Sequence, residues 1–227
     1  MKTTLYIIRH CEALGNIREV FQGSTDSDIT EKGALQLKKL KERCKEIPFD
    51  IIYTSHLIRA KKTAEAVNFY HGVPIITEPD FTEIDGGDME GEKWIDLPAL
   101  FPDTYPIWHT DIGNYKAPNG ESFREVYRRV KNALLKVIAD NKGKTVGIIS
   151  HGCAIYNMLV FLHGFSEDEL SENPFWCDNC SVSRVDITDN KFVPVFINDA
   201  KHIVNNEKTA PHIMLWRTDL TNFEKNT

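Results

Sequence analysis

Two histidines follow two short apolar runs that lie far apart in the sequence. Residues 5–8 are followed by Arg9 and His10, and residues 146–149 are followed, one serine later, by His151. Each run has the length of a β-strand, and each histidine stands where a helical pattern begins. In open α/β sheets, ligands bind beyond the carboxyl ends of the strands. We therefore expect two imidazole rings to meet over one crevice, beside a guanidinium that attracts an anion.

The Arg9-His10 pair suits nucleophilic chemistry on an anionic substrate. A neutral imidazole is a competent nucleophile near neutral pH, and a neighbouring cation disfavours its protonation. The guanidinium offers a planar fork that binds an anion through two hydrogen bonds. Taken alone, the pair is equally compatible with a buried histidine whose nitrogens are satisfied by backbone carbonyls.

Two further features bear on an anion site. Ser55 is expected to cap the helix that follows the strand at residues 50–54, which places Arg59 in its first or second turn. From there the guanidinium can reach back over the sheet edge, although a lone arginine here would by default face solvent. Gly152 allows a tight turn directly after His151, and the amides of the helix that starts there would add donors for an anion.

An acidic segment rich in glycine supplies candidate proton donors. One carboxyl held protonated beside the site could donate to a leaving oxygen, and the glycines let the backbone approach a ligand. The alternative is a solvated acidic loop, which we expect for most of these side chains. The acidic residues are Glu83, Asp85, Asp88 and Glu90.

The elements that must position these residues alternate between strand and helix. This alternation favours a largely parallel sheet covered by helices. Ser122 and Glu125 form a capping box at the start of the most clearly periodic helix, and Asp189-Asn190 is a hairpin signal. The predicted strands span residues 3–8, 50–54, 73–77, 145–150, 181–188 and 191–198, and the predicted helices span residues 30–45, 57–70, 123–140 and 153–162.

We predict one domain over residues 1–227, with two departures from the alternating pattern. Residues 81–118 contain four prolines and form an insertion with a short helix around residues 94–101. We favour a partial lid over the site for this insertion, and the alternative is a plain surface excursion. Residues from about 203 to 227 form a C-terminal extension.

Composition narrows the class of protein. The chain has 227 residues and a net charge of −6, which disfavours a general nucleic-acid binder. No apolar run is long enough for a membrane span, and four apolar residues before Arg9 are too few for a secretory signal. The five cysteines are odd in number and scattered, so we expect reduced thiols in the cytoplasm. A monomer and a homodimer both remain open.

Taken in order, these segments resemble the histidine phosphatases, the phosphoglycerate-mutase-like superfamily. The similarity spans residue 3 to about residue 202. It departs from the family at Cys11, which stands where the motif has glycine. The matching positions are Arg9, His10, Glu12 and Asn16; Gly23 to Asp26, Ile29, Thr30 and Gly33; Ser55, Leu57, Arg59, Ala60, Thr63 and Ala64; Glu83, Ile84, Gly87, Glu90 and Gly91; Pro118, Gly120, Glu121 and Ser122; Ser150, His151 and Gly152; and Asn179, Ser181, Asn198 and Asp199.

The resemblance implies a fold with helices on both faces of a mostly parallel sheet, and a metal-independent phosphatase. His10 would become phosphohistidine, and Glu83 would protonate the leaving alkoxide and then activate water. Arg9, Arg59 and His151 would surround the phosphoryl oxygens, with Asn16 assisting. No cofactor is implied, and the substrate would be a small phosphorylated metabolite. The implied substrate-binding residues are Arg9, Asn16, Gln22, Gly23, Arg59, His151 and Gly152.

Several alternatives remain. A phosphoglycerate mutase is disfavoured because the segment after Glu83 has the form found in the phosphatase branch. A catalytically silent module that binds phosphorylated ligands is disfavoured because every proposed reactive position is filled. A zinc site built from His10, His151, Glu83 and a cysteine is disfavoured because two arginines would repel a cation. A further hypothesis holds that Cys11 and Cys153 lie near the site and that their oxidation depresses activity; the simpler alternative is two inert residues.

Overall fold

Within residues 1–189, 191–204 and 207–209, which the computed structural model describes, six strands form one sheet. The strands are β1 (Lys2–Arg9), β2 (Ile51–Thr54), β3 (Ile75–Thr77), β4 (Thr145–Ser150), β5 (Val182–Thr188) and β6 (Lys191–Asp199). Their spatial order is β3-β2-β4-β1-β5-β6. The first four strands are parallel, whereas β5 and β6 run antiparallel to their neighbours. The predicted mostly parallel α/β sheet is confirmed.

Helices cover both faces of this sheet. The α-helices are α1 (Leu14–Arg18), α2 (Glu31–Cys44), α3 (Ile58–Val67), α4 (Leu97–Leu100), α5 (Tyr105–Thr110), α6 (Phe123–Asp140) and α7 (Gly152–Leu162). Short 3-10 helices span Asn68–Tyr70, Pro79–Phe81, Gly87–Met89, Ile112–Asn114 and Glu167–Glu169. No helix of the described residues is long and apolar enough to span a membrane.

The central strand β1 is apolar on both sides because each side faces a separate cluster of buried residues. Ile7 belongs to a cluster with α6, α7 and the insertion. Ile8, one residue later, belongs to the cluster with α2 and α3 on the opposite face. Successive side chains of a strand point to opposite faces, so the stretch of β1 that is covered on both sides, residues 5–8, is apolar at every position.

The capping box and the hairpin are confirmed, whereas the predicted Ser55 cap is wrong. The Glu125 amide donates to Ser122 Oγ at 3.2 Å, and Thr188 pairs with Lys191 across the hairpin, whose Asn190 lies outside the described residues. Ser55 instead continues the pairing of β2 with β4, and its amide donates to the Ile149 carbonyl at 3.1 Å. Helix α3 therefore begins later, with Leu57 as its N-cap.

The insertion folds differently from the single predicted helix at residues 94–101. It forms α4 and α5, each with a proline in its first turn, where the missing amide proton costs no helical hydrogen bond. The ring of Trp108, on α5, packs against Phe21 and Tyr115 with centroids 5.4 and 4.6 Å apart. The insertion thus joins the main core through aromatic contacts. The C-terminal extension predicted from about residue 203 lies mostly outside the described residues.

Neighbouring leucines on α6 test the packing of the helical layer. Leu134 is fully buried, whereas the side chain next to it, Leu135, is 45% exposed. We expect Leu134→Ala to lower the free energy of unfolding by about 2–5 kcal/mol because it leaves a cavity in the core. Leu135→Ala, the matched control, should cost less than about 1 kcal/mol. Urea unfolding measures both values, and equal losses would contradict this packing.

Candidate active site

Parallel pairing of β1 with β4 brings the two histidines together. Arg9 and Ser150 are paired across the two strands, and the His10 amide donates to the Ser150 carbonyl at 3.0 Å. The next residues along each strand are therefore adjacent at the carboxyl edge. The rings of His10 and His151 lie with centroids 5.0 Å apart and planes inclined by 52°. Both histidines are buried.

His10 is held in one tautomer by the backbone. Its Nδ1 lies 2.6 Å from the carbonyl oxygen of Cys11. A carbonyl only accepts hydrogen bonds, so Nδ1 carries the proton and Nε2 keeps its lone pair. Burial, reinforced by the cations of Arg59 and Arg9, lowers the pKa of His10 well below its usual 6.5. The site thus contains a neutral imidazole with a free nucleophilic nitrogen.

His151 has the opposite tautomer. The Nε of Arg59 donates to His151 Nδ1 at 3.2 Å, so the imidazole proton lies on Nε2. Among the described residues, this buried Nε2 has no hydrogen-bond partner. Burial, followed by the charge of Arg59, lowers the pKa of His151 well below 6.5. The ring therefore offers an unused N–H donor, which an anionic oxygen can accept.

Arg59 is fixed at the start of α3 by backbone carbonyls. Its Nη1 donates to the Thr25 carbonyl at 2.9 Å and its Nη2 to the Gly23 carbonyl at 2.7 Å. Burial lowers the pKa of Arg59 to about 10, which still leaves it charged at neutral pH. Carbonyls orient the guanidinium without neutralising it, so its charge remains available to an anion.

Arg9 is the last residue of β1, and its guanidinium lies near the start of α7. Its Nη1 donates to the Cys177 carbonyl at 2.5 Å, while its buried Nε lacks a partner within the described part of the chain. A Cβ atom added at Gly152 would lie 3.5 Å from Arg9 Nη2 and 3.4 Å from Glu83 Oε2. The guanidinium of Arg9 and the carboxylate of Glu83 therefore both lie close to the backbone of Gly152.

Glu83 occupies the amino end of α7. Its Oε1 accepts hydrogen bonds from the amides of Ile84, Cys153 and Ala154 at 2.9, 3.0 and 3.2 Å. Helix amino ends bind anions through such amides and the helix dipole. From the sequence, we expected the amides at the start of α7 to bind a ligand. In the structure they donate to Glu83 instead.

Arg129 on α6 holds the segment that carries Glu83, and sequence reasoning missed it. Its guanidinium donates to the carbonyls of Asp80, Thr82 and Glu83 at 2.6, 2.9 and 3.0 Å. It also forms an ion pair with Glu121 at 2.8 Å. Arg129 lies one turn after the capping box, on a helix whose periodicity indicates only packing, so its partners follow from the tertiary fold.

The remaining predicted substrate-binding residues lie on α1 (Asn16) and in the loop after it (Gln22 and Gly23). Asn16 Oδ1 accepts from the Ala13 amide at 2.9 Å, and Gln22 Nε2 donates to Ser27 Oγ. These contacts stabilise the loop itself. A Cβ at Gly23 would lie 2.2 Å from the Ile84 carbonyl, so this position accepts only glycine. The structure thus brings Gly23 directly against Arg59, and gives Asn16 and Gln22 local partners.

Cys11, which stands where the family motif has glycine, packs into the hydrophobic core. Cys11 is fully buried in the cluster beneath α2 and α3, and its Sγ would lie 3.3 Å from a Cβ added at Gly33. Burial raises the pKa of Cys11 to about 12 and that of Cys153 well above its usual value, so both are protonated thiols.

Within the described residues, no three His, Cys, Asp or Glu side chains are placed to hold a metal ion.

Comparison with known proteins identifies relatives over most of the chain. The model of the histidine phosphatase superfamily, branch 1, matches residues 5–200. PhoE from Bacillus subtilis, named as an uncharacterized phosphatase, is 32% identical over 190 residues, covering 84% of this chain and 91% of PhoE. Phosphoserine phosphatase 1 of Hydrogenobacter thermophilus is 30% identical over 202 residues, covering 88% of this chain and 93% of that protein.

Other relatives extend the range of activities. GpmB of Cronobacter sakazakii, named as a probable phosphoglycerate mutase, is 31% identical over 186 residues, covering 80% of this chain and 84% of GpmB. The structure of YhfR from Bacillus stearothermophilus superimposes with a TM-score of 0.83 at 29% identity, covering 89% of this chain and all of YhfR. Phosphatases and mutase-like proteins thus share this architecture.

The two lowered histidine pKa values predict the response to pH. NMR signals from the rings of His10 and His151, assigned with His10→Ala and His151→Ala, should not titrate between about pH 8 and pH 6.5. The unfolded chain takes up protons on these histidines near pH 6.5, while the folded chain does not. The free energy of unfolding should therefore fall as the pH drops below about 6.5. A titration midpoint at or above 6.5 for either ring would contradict this.

Proposed function

Because this chain belongs to the histidine phosphatase superfamily, branch 1, as its motifs indicate, we propose that it hydrolyses phosphate monoesters through a phosphohistidine on His10. One observation carries the proposal: the neighbouring imidazoles have opposite tautomers. His10 presents a lone pair on Nε2, and His151 presents an N–H, so one ring can attack phosphorus while the other binds a phosphoryl oxygen.

In the first step, His10 Nε2 forms a bond to phosphorus as the bond between phosphorus and the ester oxygen breaks. The guanidinium groups of Arg9 and Arg59 and the Nε2–H of His151 stabilise the charge on the three phosphoryl oxygens, with Asn16 assisting. The leaving alkoxide takes a proton from Glu83. This role requires that Glu83 carries a proton when substrate is bound.

In the second step, water attacks the phosphohistidine. Glu83, now ionised, accepts a proton from that water as the new bond to phosphorus forms and the bond to Nε2 breaks. Inorganic phosphate leaves, and His10 returns to its neutral state. The cationic groups supply the charge stabilisation that a metal provides in other phosphatases, so the proposed reaction is metal-independent and needs no cofactor.

We further propose that the substrate is a small phosphorylated metabolite. A relative named phosphoserine phosphatase supports this class, while the deep burial of the reactive groups favours a small ester over a macromolecule. All five cysteines are free and buried, which supports a reducing compartment such as the cytoplasm. Neither nucleic acid nor membrane enters the proposal, and both a monomer and a homodimer are compatible with it.

The His10→Ala variant tests the nucleophile. We expect hydrolysis of p-nitrophenyl phosphate by the wild type with chelator present, a phosphorylated His10 trapped by a rapid alkaline quench, and background turnover for His10→Ala. The exposed His56 provides a matched control, and His56→Ala should retain activity. Interconversion of phosphoglycerates without hydrolysis would favour a mutase. Phosphate binding without turnover would favour a binding module, and loss of activity with chelator would favour a metal enzyme.

Glu83→Gln tests the acid. An alkyl phosphate has a poor leaving group that needs a proton, so we expect its rate of phosphohistidine formation to fall by about 100-fold or more. p-Nitrophenyl phosphate has a good leaving group and should lose much less. Single-turnover rates with both esters decide the point, with Asp85→Asn as an exposed control on the same segment. Equal losses for the two esters would show that Glu83 does not protonate the leaving group.

A further inference from the structure

Glu90 forms an unusually dense set of hydrogen bonds that the proposed reaction does not use. Its Oε1 accepts from the amides of Ser24 and Gly86 at 2.8 and 2.9 Å. Its Oε2 accepts from the amides of Gly23 and Thr25 at 3.1 and 3.3 Å, and from the Thr25 hydroxyl at 2.6 Å. Three consecutive amides, those of residues 23–25, therefore converge on one carboxylate. This is an anion-binding nest whose anion is a side chain of the protein.

The other side of the same loop holds Arg59. The carbonyls of Gly23 and Thr25 accept from Nη2 and Nη1 of Arg59. Loop 23–25 thus directs its amides at Glu90 and its carbonyls at Arg59. A carboxylate at the amide side and a cation at the carbonyl side polarise the loop in the same sense, so each contact strengthens the other.

The packing gives this loop little freedom to find another arrangement. A Cβ at Gly23 would lie 2.3 Å from Glu90 Oε1, so the carboxylate lies directly against the loop backbone. Asp26, the next residue, accepts from the Ile58 amide at 2.8 Å and ties the loop to the start of α3. The negative charge of Glu90 is also among the influences that raise the pKa of Arg59 against the effect of burial.

We propose that Glu90 is a positioning residue for Arg59, acting through loop 23–25 to aim a charged guanidinium at the phosphoryl group. The inference rests on the proposed function for the identity of the ligand. Glu90 touches neither substrate nor the reacting atoms. Without its carboxylate, the three amides lose their shared acceptor, the two carbonyls lose their fixed position, and Arg59 loses its orientation.

Glu90→Gln is the principal test, because it keeps the shape but replaces one acceptor oxygen with a donor. We expect the dissociation constant for inorganic phosphate, measured by calorimetry, to rise about tenfold or more, which is the scale for a hydrogen bond to a charged group. The KM for p-nitrophenyl phosphate should rise in parallel, with a smaller change in kcat. Glu92→Gln, an exposed side chain two residues away, is the matched control and should leave both values unchanged.

A double-mutant cycle separates action through Arg59 from a general structural role. In an Arg59→Ala background, adding Glu90→Gln should change phosphate affinity by less than about twofold, because the group that Glu90 positions is gone. A full, additive loss in that background would overturn the proposal. So would wild-type phosphate binding and KM for Glu90→Gln alone.

Two further measurements keep the test decisive. If Glu90→Gln or Arg59→Ala fails to fold by circular dichroism, Thr25→Val removes only the hydroxyl contact with Glu90; a rise in KM supports the proposal, and an unchanged KM overturns it. Phosphate affinity does not depend on turnover. A wild type that binds phosphate but hydrolyses no ester would therefore defeat the proposed function, while the affinity of Glu90→Gln would still decide the role of Glu90.

Discussion

The site depends on burying two guanidinium groups without neutralising them. Within the described residues, Arg9 and Arg59 form no direct ion pair; they donate instead to backbone carbonyls of Cys177, Gly23 and Thr25, and nearby carboxylates act on Arg59 only through space. A carbonyl satisfies part of the hydrogen-bonding demand of a buried cation but adds no opposing charge. In the proposed reaction this positive charge serves the phosphoryl group, and the surrounding loops must keep their carbonyls in place.

Burial, and after it the charge of these cations, determines the state of the two histidines. Each ring is buried beside cations, so each stays neutral, and each is then free to adopt the tautomer that its neighbour dictates. A carbonyl dictates the proton position on His10, and Arg59 dictates it on His151. The proposed nucleophile and the proposed donor thus differ in their hydrogen-bond partners, although both are histidines directly after parallel strands.

The sequence predicts the framework well because strand ends in a parallel sheet have a fixed geometry. The apolar runs before His10 and His151 suffice to place the two rings at one edge, and the ordered motifs add Arg59 and Glu83. The failures concern contacts that depend on tertiary approach. Ser55 was expected to cap α3, but it pairs with β4 and the N-cap is Leu57. The partners of Arg129 on α6 have no local signal at all, since periodicity reports which face is buried and not which carbonyls lie above it.

In the ligand-free protein, the carboxylate of Glu83 already accepts from the amides at the start of α7, so it competes with any external anion for these donors. A tethered group acts at a high effective concentration, so a free anion can use those amides only by displacing a partner that is always present. The amides of Cys153 and Ala154 are therefore already ordered and satisfied in the ligand-free protein, and any anion that uses them must first release Glu83.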